Sequence, residues 1–287
     1  MPFRTTPANI YRPLDKSTAL QSNSIRDTNM PRFENGTASV HYEIVGSGRP
    51  LLLIAGTASD GASWAPLLPL LPDRQLILID NRGSGRTTVE GPISHEEMIE
   101  DCRALLDHLG LGETDVVGHS LGGYLGLGLA ARHPEKVRRL VTLGAGTIGP
   151  GVRTMFKDLA RLYFVLPPED WFRLFYPSLF SDPFFADEER VAAAAAASAA
   201  YEFRQSPGDF ARQIAALDRY TPVDFSQVRC EVLAISGDLD LLSPPGAVEA
   251  LHARVPRLSQ ETIPAAAHSL HWEAPQSVAA AINGFLR

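Results

Sequence analysis

The sequence predicts a doubly wound α/β fold, with a mostly parallel sheet and a helical cap insertion. Short apolar runs alternate with amphipathic segments along most of the chain, a rhythm typical of parallel strands joined by helices. The rhythm stops once, over about residues 150–220, where only helical patterning is found. We therefore predict an N-terminal extension (1–31), an α/β core (32–149 and 221–287) and a helical cap (150–220).

Three strands are predicted in the first part of the core. The alternation of Ser39–Val45 predicts an edge strand with one exposed face. Leu51–Gly56 and Gln75–Asp80 are continuous apolar runs, as expected for parallel strands that are covered on both faces. Between these runs, Trp64 and the leucines up to Leu71 can supply the buried face of a short helix.

The remaining core elements follow in regular alternation. Apolar residues at spacings of three and four predict a helix from Glu96 to about Leu109, with acidic residues in its first turn as the helix dipole favours. The later elements are predicted as a strand over 114–118, a helix over 121–132, strands over 137–144 and 231–236, a helix over 247–255, a short strand over 261–263 and a closing helix over 277–286.

The predicted cap is rich in aromatic residues. More than half of the aromatic side chains of the protein fall in this quarter of its length, and six consecutive alanines, Ala192 to Ala197, form a strong helix-forming stretch. We interpret the segment as a lid that lines an apolar pocket. The alternative is another helical layer of the core.

Composition excludes several classes of partner. The net charge of −7 and the pI near 5.6 argue against nucleic-acid binding, which needs clustered cations. No apolar run reaches the roughly 18 residues of a membrane-spanning helix, and the N-terminus lacks the apolar core of a secretory signal. A cytoplasmic location is therefore the default expectation.

Cys102 and Cys230 are expected to be unpaired buried thiols, with a single disulfide as the alternative.

One motif carries chemistry by its position. Gly118–Gly122 reads G-x-S-x-G between a predicted strand and a predicted helix. A serine on such a turn sits in strained backbone, and the flanking glycines remove the clashes that side chains would cause. The turn places the Ser120 hydroxyl at the carboxyl edge of the sheet, where the amide of Leu121 points at a developing oxyanion. Ser120 is the predicted nucleophile.

A serine nucleophile needs a base and an orienting carboxylate. The acid is expected after a later strand, where Asp238 and Asp240 are both available. The base is expected last, in the loop before the final helix, where His268 and His271 are the candidates.

From about Arg32 onward these motifs resemble the α/β-hydrolase fold family. Its members typically close the acid strand with a G-x-x-D turn and place a proline four residues after the acid. Gly237, Asp240 and Pro244 match that pattern. The resemblance therefore implies that Asp240 is the acid and that Asp238 is a turn residue.

The same resemblance selects the base. In the family the catalytic histidine is followed by a glutamate five residues on and a proline two residues later, as His268, Glu273 and Pro275 are here. His271 is expected to line the pocket or to cap the helix. His119 is expected either to line the pocket or to pack against neighbouring side chains. The remaining histidines are read as ordinary residues in surface contexts: His41, His95, His108, His133 and His252.

The second oxyanion donor is assigned by resemblance as well. Ala55-Gly56-Thr57 with a later tryptophan resembles the family's His-Gly-x loop, which implies that the amide of Thr57 is the donor. Ala55 stands where many members carry a histidine that supports this loop. Another residue is therefore expected to support it here. Gly56, His119 and Trp272 are predicted to contact the substrate.

The motifs appear in the order Ser, Asp, His, and the layout is most similar to the carboxylesterase and 3-oxoadipate enol-lactonase branch. The expected reaction is acyl transfer on a small carboxylic ester or lactone with an apolar portion. No metal-type cluster or dinucleotide fingerprint is seen, so no metal and no cofactor are expected. The alternatives are a carbon–carbon bond (diketone) hydrolase, a perhydrolase, and a ligand-binding protein on a hydrolase scaffold.

Overall fold

A computed structural model describes residues 31–219 and 223–287. The predicted N-terminal extension, 1–31, lies outside the described residues except for Pro31. The strands are β1 (Arg32–Asn35), β2 (Ala38–Val45), β3 (Arg49–Ile54), β4 (Arg74–Ile79), β5 (Thr88–Val89), β6 (Thr114–His119), β7 (Val137–Leu143), β8 (Glu231–Gly237) and β9 (Leu258–Ile263). The α-helices are α1 (His95–His108), α2 (Leu121–Arg132), α3 (Pro150–Leu162), α4 (Pro168–Phe175), α5 (Asp182–Phe185), α6 (Glu188–Ala200), α7 (Pro207–Ala216), α8 (Pro245–His252), α9 (Leu270–Glu273) and α10 (Pro275–Phe285).

The strands form one mostly parallel sheet of the α/β-hydrolase type, which confirms the predicted fold class. The order is β1-β2-β4-β3-β6-β7-β8-β9, and β5 pairs with β2. All pairings from β4 through β9 are parallel, whereas β1, β2 and β5 pair antiparallel. The chain moves outward in opposite directions from β3 and β6, so the loops after these two strands meet at the switch point where α/β proteins place ligands.

Two apolar layers cover the faces of this sheet. Along β3, Leu52 and Ile54 pack with side chains of α1 and α2 on one face, while Leu51 and Leu53 pack with side chains of α10 on the other. All four side chains are fully buried. Continuous apolar strands are what this double coverage requires.

A third apolar cluster belongs to the segment between β7 and β8. Helices α3 to α7 lie in this segment, and their buried aromatic rings pack on one another. Trp171 is fully buried, and its indole N–H donates to the carbonyl of Leu159 at 2.8 Å. Tyr163 stacks on Trp171 with 3.9 Å between ring centroids. From outside this segment, Leu242 also belongs to the cluster and Ala58 packs against it.

Two predictions about the first strands are wrong. Ser39–Val45 is not an edge strand, because β2 pairs with β1 on one side and β4 on the other. The helix predicted around Trp64 is replaced by two 3-10 turns, Gly61–Trp64 and Leu68–Leu70. Pro66 and Pro69 explain the difference, because each removes an amide that an α-helix would use.

The reading of five histidines as surface residues is also wrong for three of them. His41, His95 and His252 are at least 95% buried. The ring of His41 pairs with Asp80 at 3.0 Å, and that of His252 contacts the Thr142 hydroxyl at 3.0 Å. A hydrogen-bond partner at a ring nitrogen makes the burial of such a side chain tolerable.

The two cysteines are unpaired, with Cys102 buried and Cys230 partly buried. Among the described residues, no helix combines the length and apolar character needed to cross a bilayer.

Candidate active site

Ser120 occupies the sharp turn between β6 and α2. Its φ of 51° and ψ of −115° are values that non-glycine residues rarely adopt, and its amide donates to the carbonyl of Leu143 at 2.8 Å. A Cβ at Gly118 would lie 2.2 Å from the carbonyl oxygen of Gly122, and one at Gly122 would lie 1.9 Å from the carbonyl oxygen of Ile54. The turn that presents Ser120 therefore requires both glycines.

Gly118→Ala is expected to lower the free energy of unfolding by about 2–4 kcal/mol, because only backbone atoms can move to relieve this contact. The matched control is Gly151→Ala in α3, where a Cβ meets nothing within 4 Å. Alanine is the better helix former, so the control is expected to leave stability unchanged or slightly raised. Denaturant unfolding of the three proteins measures the difference, and equal loss in both variants would contradict the role of the turn.

Asp240 follows β8 and holds the ring of His268. His268 Nδ1 lies 2.9 Å from Asp240 Oδ2, while Asp240 Oδ1 accepts the amides of Leu242 and Ser243 at 2.9 and 2.8 Å. Burial alone raises the pKa of this carboxyl, but the His268 ring and the two amides outweigh burial and hold the pKa below its usual value. Because a carboxylate only accepts, the neutral tautomer that this contact favours has its proton on His268 Nδ1 and its lone pair on Nε2.

The structure brings Asp240, and not Asp238, to His268. Asp240 is 2% exposed, whereas Asp238 lies on the surface. At the end of β7, Gly144 has a φ of 56°, and a Cβ there would lie 3.2 Å from Asp240 Oδ2. A bare backbone at this position lets the Asp–His pair pack against the strand end.

Glu273 anchors the loop that carries His268. Its Oε2 accepts the amide of Ala267 at 2.7 Å, and its Oε1 accepts the amide and hydroxyl of Ser181 at 2.9 and 2.6 Å. The amide of Ser269 donates to the carbonyl of Leu179 at 2.8 Å. The loop is thus tied to the stretch between α4 and α5, a role that the sequence motif did not reveal.

The loop after β3 is supported by Asn81. Its side-chain amide donates to the carbonyl of Ala55 at 2.9 Å, and Asn81 is 2% exposed. This hydrogen bond supplies support in a loop that lacks the family's histidine. The next turn contains Ala58 at a φ of 60°, and its amide donates to Gln213 Oε1 at 3.3 Å. Neither Asn81 nor Gln213 was identified from the sequence, because both act across long chain separations.

A cavity between the sheet edge and helices α3 to α6 is lined by both Ser120 and His268. Of the other predicted residues, Thr57, His119 and Trp272 also line it. Leu121 is the first residue of α2, directly after the serine. The other walls of the cavity are mainly apolar and aromatic: Phe156, Phe172, Phe175, Tyr176, Leu179, Phe180, Ala194 and Leu242.

Gly56 lies behind the cavity wall instead of on it. A Cβ at Gly56 would lie 3.0 Å from His119 Nδ1 and 3.3 Å from the Cβ of Ser120. The glycine therefore lets the loop with Thr57 approach the turn at Ser120 closely, which is a different role from the predicted substrate contact.

Three imidazoles meet beside Ser120. The His119 ring centroid lies 4.9 Å from that of His268 and 4.5 Å from that of His271, and His271 also lines the cavity. His119 Nε2 donates to the carbonyl of His268 at 2.9 Å. Burial lowers the pKa of His119 to about 3 and lowers the pKa of His271 well below its usual value. Both rings are therefore neutral near pH 7.

A second cavity with both polar and aromatic walls adjoins the first, and we call it the Asp60 cavity. Its polar lining residues are Ser59, Asp60, Ser63, Ser198, Tyr201, Arg204 and Gln205. Asp60 Oδ2 accepts the Tyr201 hydroxyl at 2.8 Å. Burial, together with the Asp80 carboxylate, raises the pKa of Asp60 to about 6.

Asp60→Asn is expected to change how stability depends on pH. The folded state raises the pKa of Asp60 from 3.8 to about 6, so the native protein binds this proton more tightly than the unfolded chain. This contribution is full below about pH 4 and is lost as the pH rises through about 6. Between those limits, the free energy of unfolding of the wild type relative to Asp60→Asn should fall by on the order of 2–3 kcal/mol.

The measurement is denaturant unfolding of both proteins at several pH values. Because His119 and His271 titrate in both proteins, their contributions cancel in the difference. Asp182→Asn on the exposed start of α5 is the control and should track the wild type. A pH-independent difference between wild type and Asp60→Asn would contradict the raised pKa.

The described residues include no group of three or more His, Cys, Asp or Glu side chains arranged to hold a metal ion. What the site offers is a hydroxyl on a strained turn, an imidazole held by a carboxylate, and the loop with Thr57 packed closely against that turn.

The parallel sheet and this arrangement at its switch point define a hydrolase of the α/β fold. The chain belongs to the α/β hydrolase fold family, whose family model matches residues 49–275.

Two of the curated relatives carry the name carbamate hydrolase RutD. The one from Caulobacter sp. strain K31 is 30% identical over 279 residues, which cover 88% of this chain and 98% of the relative. The one from Azorhizobium caulinodans is 37% identical over 147 residues. That alignment spans 50% of this chain and only 56% of the relative's length.

A solved structure is similar over most of the chain. A thermophilic esterase from Thermogutta terrifontis, with malate bound, superposes with a TM-score of 0.74 at 25% identity. The match covers 87% of this chain and 93% of the esterase.

Proposed function

We propose that this hydrolase cleaves a carboxylic ester or lactone through an acyl-enzyme on Ser120, with His268 as base and Asp240 as orienting acid. The observation that carries the proposal is the hydrogen-bonded Asp240–His268 pair, whose imidazole lines the same cavity as Ser120. In this assignment the amides of Thr57 and Leu121 bind the oxyanion, since both residues come just after the strands, β3 and β6, that flank the switch point.

In the proposed cycle, His268 Nε2 accepts the Ser120 proton while Oγ attacks the carbonyl carbon. The oxyanion of the tetrahedral intermediate accepts the amides of Thr57 and Leu121. His268 then gives its proton to the leaving alcohol oxygen, and the C–O bond breaks. Water, deprotonated by the same ring, cleaves the acyl-enzyme, while Asp240 keeps Nδ1–H oriented throughout.

The walls of the cavity support a substrate with an apolar acyl or aryl portion. Phe156, Phe172, Phe175 and Phe180 line it together with aliphatic side chains. Burying such a group against aromatic walls contributes roughly 25 cal/mol per Å² of apolar surface. A carboxylate or phosphate would find no charged partner among those rings.

A carbamate is the second candidate substrate, and the name of the Caulobacter relative favours it. Attack by Ser120 on a carbamate gives a carbamoyl-enzyme, whose carbonyl is less electrophilic than that of an acyl-enzyme because its nitrogen donates electron density. An ester hydrolase therefore releases one equivalent of alcohol from an aryl carbamate in a burst and then slows. A carbamate hydrolase turns over steadily.

The test is steady-state hydrolysis of phenyl esters of increasing acyl length, a set of lactones and a phenyl carbamate with the same leaving group. Rapid multiple turnover on esters or lactones, with a burst on the carbamate, supports the proposal. Steady turnover on the carbamate alone favours the second candidate. No turnover on any of them by the folded protein would overturn both and favour a diketone hydrolase, a perhydrolase or a ligand binder.

A further inference from the structure

We propose that the Asp60 cavity binds a hydrogen-bond donor, an amine or a hydroxyl, at the far end of the substrate. The proposal rests on the proposed function, because the ligand it describes is an extension of the molecule that reacts at Ser120. The Asp60 cavity lies beside the catalytic cavity, and no step of the proposed cycle uses it.

The position of the Asp60 cavity suits a substrate that spans both sites. The two cavities share four wall residues: Ala58, Ser59, Ser63 and Phe172. The proposed oxyanion donor Thr57 is only three residues before Asp60, and three residues of chain span no more than about 11 Å. A chain of about six bonds, together with the hydrogen bond at its end, spans roughly 10 Å, so a substrate of this length can reach from a carbonyl at Thr57 to Asp60.

Two buried acceptors have capacity left for a ligand. Asp60 is 6% exposed and accepts one hydrogen bond at each oxygen, from the Ala62 amide at 3.0 Å and the Tyr201 hydroxyl at 2.8 Å. A carboxylate has about four acceptor positions, so two remain. Gln205 is 7% exposed and donates from Nε2 to the carbonyl of Gly83 at 2.7 Å. Its Oε1 has no hydrogen-bond partner among the described residues.

The two neighbouring guanidinium groups contact groups other than Asp60 and Gln205 Oε1. Arg204 donates to the Tyr163 hydroxyl at 2.8 Å and to a backbone carbonyl at 3.2 Å. Arg86 lies 4.0 Å over the Phe203 ring and pairs with Glu43. Among the described residues Arg86 Nε also lacks a hydrogen-bond partner, but neither guanidinium is hydrogen-bonded to Asp60 or to Gln205 Oε1. An incoming amine or hydroxyl supplies a donor for these two acceptors.

Capping alone does not account for the charge at this position. Asp60 is the N-cap of the 3-10 turn Gly61–Trp64, but one oxygen is enough for that role. Asparagine caps about as well as aspartate. Asp60→Asn therefore keeps the cap and removes the negative charge that an amine would bind.

The experiment compares kcat/KM within two series of esters. One series varies the acyl arm (phenyl 6-aminohexanoate and 6-hydroxyhexanoate against phenyl hexanoate), and the other varies the alcohol arm (4-aminobutyl and 4-hydroxybutyl acetate against butyl acetate). The wild type is expected to prefer a donor-bearing ester by about tenfold or more in one series, the size expected for one hydrogen bond to a charged acceptor. In Asp60→Asn the ratio for the amine should approach one, whereas Asp182→Asn should keep the wild-type ratio.

Ratios near one in both series for the wild type would overturn the proposal, as would a preference for an ester that ends in a carboxylate. If no ester is hydrolysed, the proposed function fails. A binding measurement then tests separately whether the Asp60 cavity binds an amine. Hexylamine should bind the Ser120→Ala protein, in an NMR titration, about tenfold more tightly than it binds the protein that also carries Asp60→Asn. Equal binding would overturn the proposal.

Discussion

Replacement of Ser120 by alanine is expected to lower kcat by about four orders of magnitude or more. The variant lacks the only atom that forms the acyl bond in the proposed cycle, so neither Asp240 nor His268 can compensate. Alanine fits the space of serine, and the fold should be retained. The measurement is kcat on the best phenyl ester of the panel, together with denaturant unfolding to check stability.

Ser226→Ala is the matched control, because Ser226 is exposed and bonds only within its own loop. It should leave kcat unchanged within about twofold, as expected for a surface change away from the site. A Ser120→Ala protein that keeps a near-normal rate would remove the nucleophile assignment altogether. A loss of activity together with a loss of folded protein would instead mean that the substitution damages the turn at Ser120. The unfolding curves distinguish these two outcomes.

The core was predictable because its signals are local. Continuous apolar runs such as Leu51–Gly56 are required by double coverage. The helix predicted from Leu121 to about Arg132 agrees with α2. The failures have local causes too: prolines at every third position, Pro66, Pro69 and Pro72, convert a leucine-rich helix pattern into 3-10 turns. A four-residue strand, β1, is too short to be recognised from alternation.

Only the site residues that belong to a sequence motif were predictable. Ser120, Asp240 and His268 each sit in a sequence pattern, and the structure brings them to one edge of the sheet. Asn81 and Glu273 support the site through bonds to Ala55 and Ala267. No local pattern identifies those contacts, because they depend on how separate loops pack.

Strained backbone occurs in the three loops that carry Thr57, Ser120 and His268. Among the described residues, the non-glycine positions with positive φ are Ala58, Ser120 and Ala265. Ala58 follows Thr57, and Ala265 lies three residues before His268. Such conformations each cost of order 1–3 kcal/mol and persist where surrounding contacts hold them. Their coincidence with the three proposed catalytic loops supports a preorganised site.

Asp240→Asn is the second change with a large expected effect, a loss of about 10⁴ in kcat, as in comparable triads. The amide oxygen can still accept from Leu242 and Ser243, so the loop should keep its shape. Its NH₂ group, however, turned toward His268, donates to Nδ1 and shifts the ring proton to Nε2. The base then has no lone pair for the Ser120 proton.

Asp238→Asn makes the control for this change stringent, because it is the same substitution two residues earlier in the same turn, on an exposed side chain. We expect it to keep kcat and the pH profile of the wild type. Equal small losses in both variants would mean that the turn, and not the Asp240 carboxylate, matters. A large loss confined to Asp240→Asn, with an unfolding free energy close to that of the control, assigns the effect to the imidazole proton that the carboxylate holds in place.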